Sequence, residues 1–308
     1  MARDAAVPKS WRISSSAAVA AFAGLERWIW NDDIAPNPRT TCQPSWQGSA
    51  PKSSYIAGLM PSSSRHSRPW ERNAGFWIRI IRDRLDPFRT ELTDGAVLRA
   101  VGSCRGQTLL DAGCGEGYLS RLLARRGARV VGVDRSRALI QSAEHAARTG
   151  TARFVLADVR ALPLASGRFD GVVCNHSLNE MRDPRPALSE FARVLQPGGR
   201  LIVLMLHPCF YGGRDRSGRR FDLDSDRYFS TRRLEQRFSV SGLSSPTPTV
   251  LWMRPLEAWF SLLADTGFCV QRLREPRPPP RVAAEPWWHE NFRKPLFLLL
   301  VAVRQPPK

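Results

Sequence analysis

Lysine is nearly missing from this 308-residue chain: Lys9, Lys52, Lys294 and Lys308 are the only four, so the formal charge of +18 is carried by arginine. Nor is that charge gathered into a tract, since the excess is +4 over residues 1–70, +7 over 71–204 and +7 over 205–308. A spread, arginine-dominated surplus is what a GC-rich genome encodes, and it lacks the clustered stripe of a nucleic-acid footprint. C-x-x-C spacing is absent among Cys42, Cys104, Cys114, Cys174, Cys209 and Cys269, which gives no zinc or dithiol motif and fits a reducing cytoplasm. No run approaches the roughly eighteen apolar residues of a membrane span. Length and 43% hydrophobic content fit a cytoplasmic globular chain of one large or two small domains, monomeric or homodimeric, with no membrane contact.

Periodicity is also lacking over residues 1–68, a Ser/Ala/Pro-rich leader expected to be poorly ordered. Its basic start and the small apolar run Ala17 to Ala23 make a weak secretory pattern, and Met60 offers an alternative start of translation. The folded domain is expected over 69–308.

What is present begins at Thr108. Leu109 and Leu110 start a buried strand, and Asp111-Ala112-Gly113-Cys114-Gly115-Glu116-Gly117 forms a glycine-rich turn. Tyr118, Leu119, Leu122 and Leu123 then recur at helical spacing before a second strand, Val130 to Val133, which ends in Asp134. Such a βαβ unit lets a ligand press on a backbone without Cβ atoms, next to free helix N–H groups. Asp134 at the strand tip can accept both hydroxyls of a ribose. A dinucleotide fingerprint would need a third glycine at position 118, where Tyr118 stands, so a nicotinamide cofactor is disfavoured.

The sequence Asp-x-Gly-x-Gly-x-Gly from Asp111 resembles the cofactor turn of the class I S-adenosylmethionine-dependent methyltransferases, and the type 11 small-molecule branch in particular. The resemblance continues in Phe169-Asp170-Gly171-Val172 and in Arg193-Val194-Leu195-Gln196-Pro197-Gly198-Gly199, whose roles in that family are structural. It implies an α/β fold: a doubly wound, mostly parallel seven-stranded sheet with an antiparallel last strand, in the order 3-2-1-4-5-7-6. It also implies S-adenosyl-L-methionine as cofactor. Asp111 then helps hold the amino group, Gly113, Cys114, Gly115 and Gly117 wrap the methionine part, Asp134 takes the ribose, and Arg135 beside it is a further cofactor-binding residue. Asp158 and Val159, at the end of strand three, meet adenine, and Asn175 follows strand four at the ligand edge.

Around this unit, Trp70 to Arg89 carries an apolar stripe, Asn73, Trp77, Ile81 and Leu85, and is expected as one helix; the resemblance implies that this helix covers the cofactor, with Asn73 and Trp77 lining it. Ser136 should cap the helix after Asp134. Residues 207 to about 250, polar and following strand five, are expected as a lid. Leu256 to Leu263 is expected as a helix, then strands at Phe268–Leu273 and Leu296–Val303 flanking a loop with Trp287-Trp288-His289, where His289 could close over an aromatic substrate.

Methyl transfer from a sulfonium mainly requires donor and acceptor held in line without water. If a base is used, His207, directly after strand five, is the first candidate and His176 the second, with structural roles open for both. No metal cluster accompanies the sheet, and the Asn/Asp-Pro-Pro-Tyr motif of nucleic-acid amino-methylating enzymes is replaced by Asn175-His176-Ser177-Leu178. The expected acceptor is an O or N atom of a small molecule in biosynthetic or secondary metabolism. A nucleic-acid methyltransferase and a non-catalytic S-adenosylmethionine binder are the rival readings.

Overall fold

A computed structural model describes residues 68–147, 152–212 and 227–306; the leader and the middle of the expected lid lie outside them. Seven strands form the main sheet: β1 (Thr108–Ala112), β2 (Arg129–Asp134), β3 (Ala152–Leu156), β4 (Phe169–Asn175), β5 (Leu195–Leu206), β10 (Phe268–Arg274) and β11 (Phe297–Arg304). Their order is β10-β11-β5-β4-β1-β2-β3, with β11 antiparallel to both neighbours and β1 to β5 parallel. This is the order and polarity expected. Along β5, Leu201 to Met205 are all buried, because helices cover both faces of a parallel sheet and leave no side to solvent.

Two of the sequence signatures have visible structural work. Asp170, at the start of β4, accepts from the Thr108 backbone N–H at 2.7 Å and from Gln196 Nε2 at 2.7 Å, pinning the entries of three neighbouring strands. Arg193, at the end of helix α5 (Arg185–Val194), pairs with Glu190 and donates to the carbonyls of Leu164 (2.7 Å) and Leu162 (3.0 Å), tying the loop before β4 to that helix.

The covering helix is shorter than its stripe. Helix α1 (Arg68–Arg82) stops at Arg84, whose φ of 54° is left-handed; Asp86 then accepts from the Phe88 and Arg89 N–H groups, opening a π-helical turn, Arg89–Thr93, that leads into α2 (Asp94–Val101). Pro87 bars a continuation of the helix, since it has no N–H for the Asp83 carbonyl and its ring would clash with that carbonyl. Between β1 and β2 lies α3 (Tyr118–Arg125), and between β2 and β3 lies α4 (Arg137–Ala146), capped as expected by Ser136, whose Oγ accepts from Leu139 N at 3.3 Å.

The described part of the 207–250 insertion is not a bare loop. It contains β6 (Arg232–Gln236) paired antiparallel with β9 (Thr249–Met253), and the small hairpin β7 (Ser239–Val240) and β8 (Leu243–Ser244). Asn73, fully buried, exchanges two 2.9 Å hydrogen bonds with the Thr247 backbone, and Ser241 Oγ donates to Leu85 O at 3.0 Å. Asn73 therefore fastens α1 to the insertion and does not line the cofactor space. Helix α6 (Leu256–Asp265) follows, and two short helices, α7 (Pro280–Ala283) and α8 (Pro286–Asn291), occupy the loop before β11.

Candidate active site

The C-terminal ends of β1, β2 and β4 open into a cavity of about 1010 Å³. Its floor is the glycine turn. Gly113, Gly115 and Gly117 have φ of 76°, 56° and 77°, left-handed values that side chains resist. Their surroundings differ. A Cβ on Gly117 would lie 2.6 Å from the Phe154 ring and 2.9 Å from Ala143, and one on Gly113 would lie 2.7 Å from Ser177, whereas at Gly115 it would meet nothing within 4 Å. Gly117 thus admits a packing ring, and Gly115 alone leaves backbone open to a ligand.

Asp134 closes the turn. Its Oδ2 accepts from Gly115 N at 3.0 Å and its Oδ1 from Ser136 N at 2.8 Å, and a carboxylate with about four acceptor sites keeps capacity for two hydroxyls. Burial raises its pKa against those two hydrogen bonds. Asp111, 1% exposed, accepts from Ser120 Oγ at 2.6 Å, and burial lifts its pKa to about 6 despite that bond, with the Asp134 charge adding. The Cys114 thiol, buried beside these acids, is pushed well above its usual range and is inert.

At the far end Val159 and Asp158 line the cavity. Burial would raise Asp158, but Arg160 outweighs it, gripping the carboxylate through Nε (3.0 and 3.1 Å) and Nη2 (2.6 Å) and holding its pKa down. At the end of β4, Asn175 Oδ1 is buried with no hydrogen-bond partner among the described residues, an orphaned acceptor facing the cavity region. His176 has φ of 66° and packs edge-on to Phe297, ring centroids 5.5 Å apart. Burial, with the Arg89 charge adding, takes its imidazole down to about 3.

Of the residues expected at the site, the cavity gathers Trp77, Asp111, Gly113, Cys114, Gly115, Asp134, Arg135, Asp158, Val159, Asn175 and His176. Gly117 stands behind it as packing. His207 is not in its lining: the ring is 3% exposed, Nδ1 accepts from Cys209 N at 3.1 Å, and Nε2 therefore carries the proton toward Glu275 Oε1 at 3.0 Å. Burial lowers its pKa against the Glu275 charge. With both nitrogens occupied, His207 ties the end of β5 to Glu275, the residue just past β10. His289 is likewise outside the lining, while Trp287 is in it.

Residues without a sequence signal complete the wall: Trp70, Phe88, Arg89, Glu180, Phe238 and Phe297. Glu180 is notable because burial pushes its carboxyl well above the usual range, with the Asp134 charge adding, against Arg135 and a hydrogen bond from Trp70. Such a group destabilises the fold only above the unfolded carboxylate pKa of about 4.3, where the unfolded chain releases the proton and the folded one keeps it. Glu180→Gln is therefore expected to raise the melting temperature at pH 8 by about 2–4 °C, the scale of about 1 kcal/mol in a domain this size, and to leave it unchanged at pH 4. Thermal scans showing no gain at pH 8 would contradict the protonated carboxyl.

Residues 110–203 match the family described as "Methyltransferase domain". Demethylmenaquinone methyltransferase of Renibacterium salmoninarum is 34% identical over 132 residues, 42% of this chain and 55% of that protein. Ubiquinone biosynthesis O-methyltransferase of Alkalilimnicola ehrlichii is 36% identical over 114 residues, 36% of this chain and 46% of that one. The chain thus spans about half the length of the curated relatives it matches. Among solved structures, the S-adenosylmethionine-dependent methyltransferase of Mesorhizobium loti superposes with a TM-score of 0.56 at 26% identity, covering 68% of this chain and 96% of that one. The sheet order and the structural match show the fold of the class I methyltransferases, and within it residues 110–203, which include the glycine turn and Asp134, match the methyltransferase-domain family.

Proposed function

We propose that this chain binds S-adenosyl-L-methionine along Asp111, Gly115, Asp134 and Asp158 and transfers its methyl group to an oxygen or nitrogen of a small biosynthetic acceptor. The observation that carries the reading is the pairing of the side-chain-free Gly115 surface with the Asp134 carboxylate inside a cavity of about 1010 Å³. That volume stands at the top of the roughly 300–1,000 Å³ of a single small-molecule site, so it has room for a cofactor and a second molecule. The orphaned Asn175 Oδ1 offers a ready acceptor for a ligand N–H.

Bound, the cofactor supplies a methyl carbon already activated by its positive sulfur. The chain's own part is positioning and drying, a contribution of roughly 7–11 kcal/mol in well-oriented reactions. Phe88, Trp287 and Phe297 form an aromatic wall around His176, with Phe88 to Phe297 at 5.6 Å and Phe88 to Trp287 at 5.4 Å. A flat acceptor fits such a wall. His176 is the histidine we assign to the acceptor side. Held neutral by burial, with a pKa of about 3, it can accept a hydrogen bond from the acceptor but is too weak a base to take its proton, so its part is orientation. The relatives named for menaquinone and ubiquinone support a quinol-like class.

Calorimetry of the full chain with S-adenosylhomocysteine and with NAD, followed by incubation of methyl-labelled cofactor with a panel of phenols and quinols, tests this. Uptake of the homocysteine nucleoside and label in an extractable small product are expected. Uptake of NAD instead would overturn the cofactor reading, label in RNA would overturn the acceptor class, and binding without transfer to any phenol or to host extract would leave a non-catalytic binder.

A further inference from the structure

The amino-acid end of the proposed cofactor is a zwitterion, and the site as assigned supplies only half of its counter-charge. Asp111 answers the ammonium; the carboxylate needs a cation nearby. Five arginines line the cavity: Arg89, Arg135, Arg160, Arg182 and Arg237. Four are committed elsewhere. Arg135 acts on Asp134, Asp158 and Glu180, at the nucleoside end. Arg160 is locked on Asp158. Arg182 lies over the Trp252 ring at 5.8 Å, and Arg237 donates to the Ser245 and Pro246 carbonyls of the insertion.

Arg89 is different. Its Nε is buried without a hydrogen-bond partner, its guanidinium lies 5.7 Å from the centre of the Tyr118 ring, and no carboxylate among the described residues comes within ion-pair distance. Asp86 and Asp94 feel its charge without reaching ion-pair distance, and each has a hydrogen-bond partner of its own: Asp86 accepts from the Phe88 and Arg89 backbones, and Asp94 is hydrogen-bonded by the Tyr118 hydroxyl. Tyr118 opens α3 directly after the glycine turn, so Arg89 stands over the methionine end of the floor, and its charge is felt at Asp111. It also starts a π-helical turn, a distortion that recurs at ligand sites.

We propose that Arg89 binds the α-carboxylate of the cofactor, forming with Asp111 a two-charge clamp on its amino-acid end. The assignment rests on the S-adenosylmethionine reading. A planar, always-charged guanidinium suits a carboxylate, and an unpaired buried N–H in the free protein means that little is given up when the ligand arrives.

The test compares S-adenosylhomocysteine with its decarboxylated analogue, which keeps the nucleoside and the amine, by calorimetry on wild type, Arg89→Met and Arg89→Lys. Arg89→Met should weaken the carboxylate-bearing ligand by about 10- to 100-fold, the scale of a charge-assisted contact, and leave the analogue within about 2-fold; Arg89→Lys should fall between. Retained binding of the analogue also serves as the folding control. Equal losses for both ligands, or no loss for either, would overturn the assignment. Failure of the wild type to take up either ligand would overturn instead the cofactor reading beneath it.

Discussion

Gly117→Ala is expected to lower the melting temperature by about 4–20 °C, while Gly115→Ala, two residues away in the same turn, costs about 2–8 °C yet weakens S-adenosylhomocysteine binding more than about tenfold. Both positions have left-handed φ, which costs an L-residue about 1–2 kcal/mol. They part company over what a methyl group would meet. At Gly117 it would drive into the Phe154 ring at 2.6 Å and Ala143 at 2.9 Å, and overpacking of this kind adds about 1–3 kcal/mol. The sum, about 2–5 kcal/mol, converts to the stated shift at about 2–4 °C per kcal/mol. Phe154 cannot retreat easily, because a Cβ on Gly132 would also lie 2.7 Å from it: the ring sits in a slot made by two missing side chains. At Gly115 the methyl would enter the cavity, where a ligand and not the protein feels it. Thermal scans and calorimetry on the two variants read the two effects separately, and equal stability losses would refute the division of labour.

That division could not be read from the chain, although the turn itself could. Asp111 to Gly117 and Asp134 are close in sequence and act through backbone geometry, so spacing alone placed them, and the continuous apolar runs of β1, β2, β4 and β5 announced strands buried on both faces. Arg89 and Glu180 carried no such signal. They reach the cavity through the packing of a π-helical turn and a 3-10 turn, Leu178–Glu180, onto the sheet edge, a tertiary outcome with no local pattern. In β6, Arg232-Arg233-Leu234-Glu235-Gln236 reads as a polar loop because only Gln236 is buried; the strand exists through its pairing with β9. His207 misses the cavity by one residue of register: Leu206 lines it, and the His207 backbone N–H goes to Leu296 O at 2.9 Å while its side chain turns to Glu275. Side chains alternate along a strand, so proximity to a strand end does not decide which face a residue serves.

Asp134→Ala is the second large effect, and its measurement separates the ribose role from the support of the turn. Removing the carboxylate deletes the hydroxyl acceptor and leaves the Gly115 and Ser136 N–H groups without it, so affinity for S-adenosylhomocysteine should fall about 10- to 150-fold, or about 1.5–3 kcal/mol. A 2′-deoxy analogue isolates the hydroxyl's share. In the wild type the missing hydroxyl weakens binding, whereas in Asp134→Ala the parent ligand and the analogue should bind alike, since the group that distinguished them has gone. A persistent preference for the hydroxylated ligand would place the ribose elsewhere. Acidity provides an independent check, with a definite sign. Burial raises both Asp134 and Asp111, the latter to about 6, and the proposed cofactor contacts require their ionised forms. Affinity should therefore be full near pH 8 and decline as pH falls through 6, earlier than an ordinary carboxylate of about 3.9 would allow. Asp111→Asn removes the charge that titrates in that window, so its affinity should be lower at pH 8 and nearly flat from pH 8 to pH 5.5. A wild-type profile unchanged down to pH 5 would mean that neither buried acid meets the ligand in its charged form.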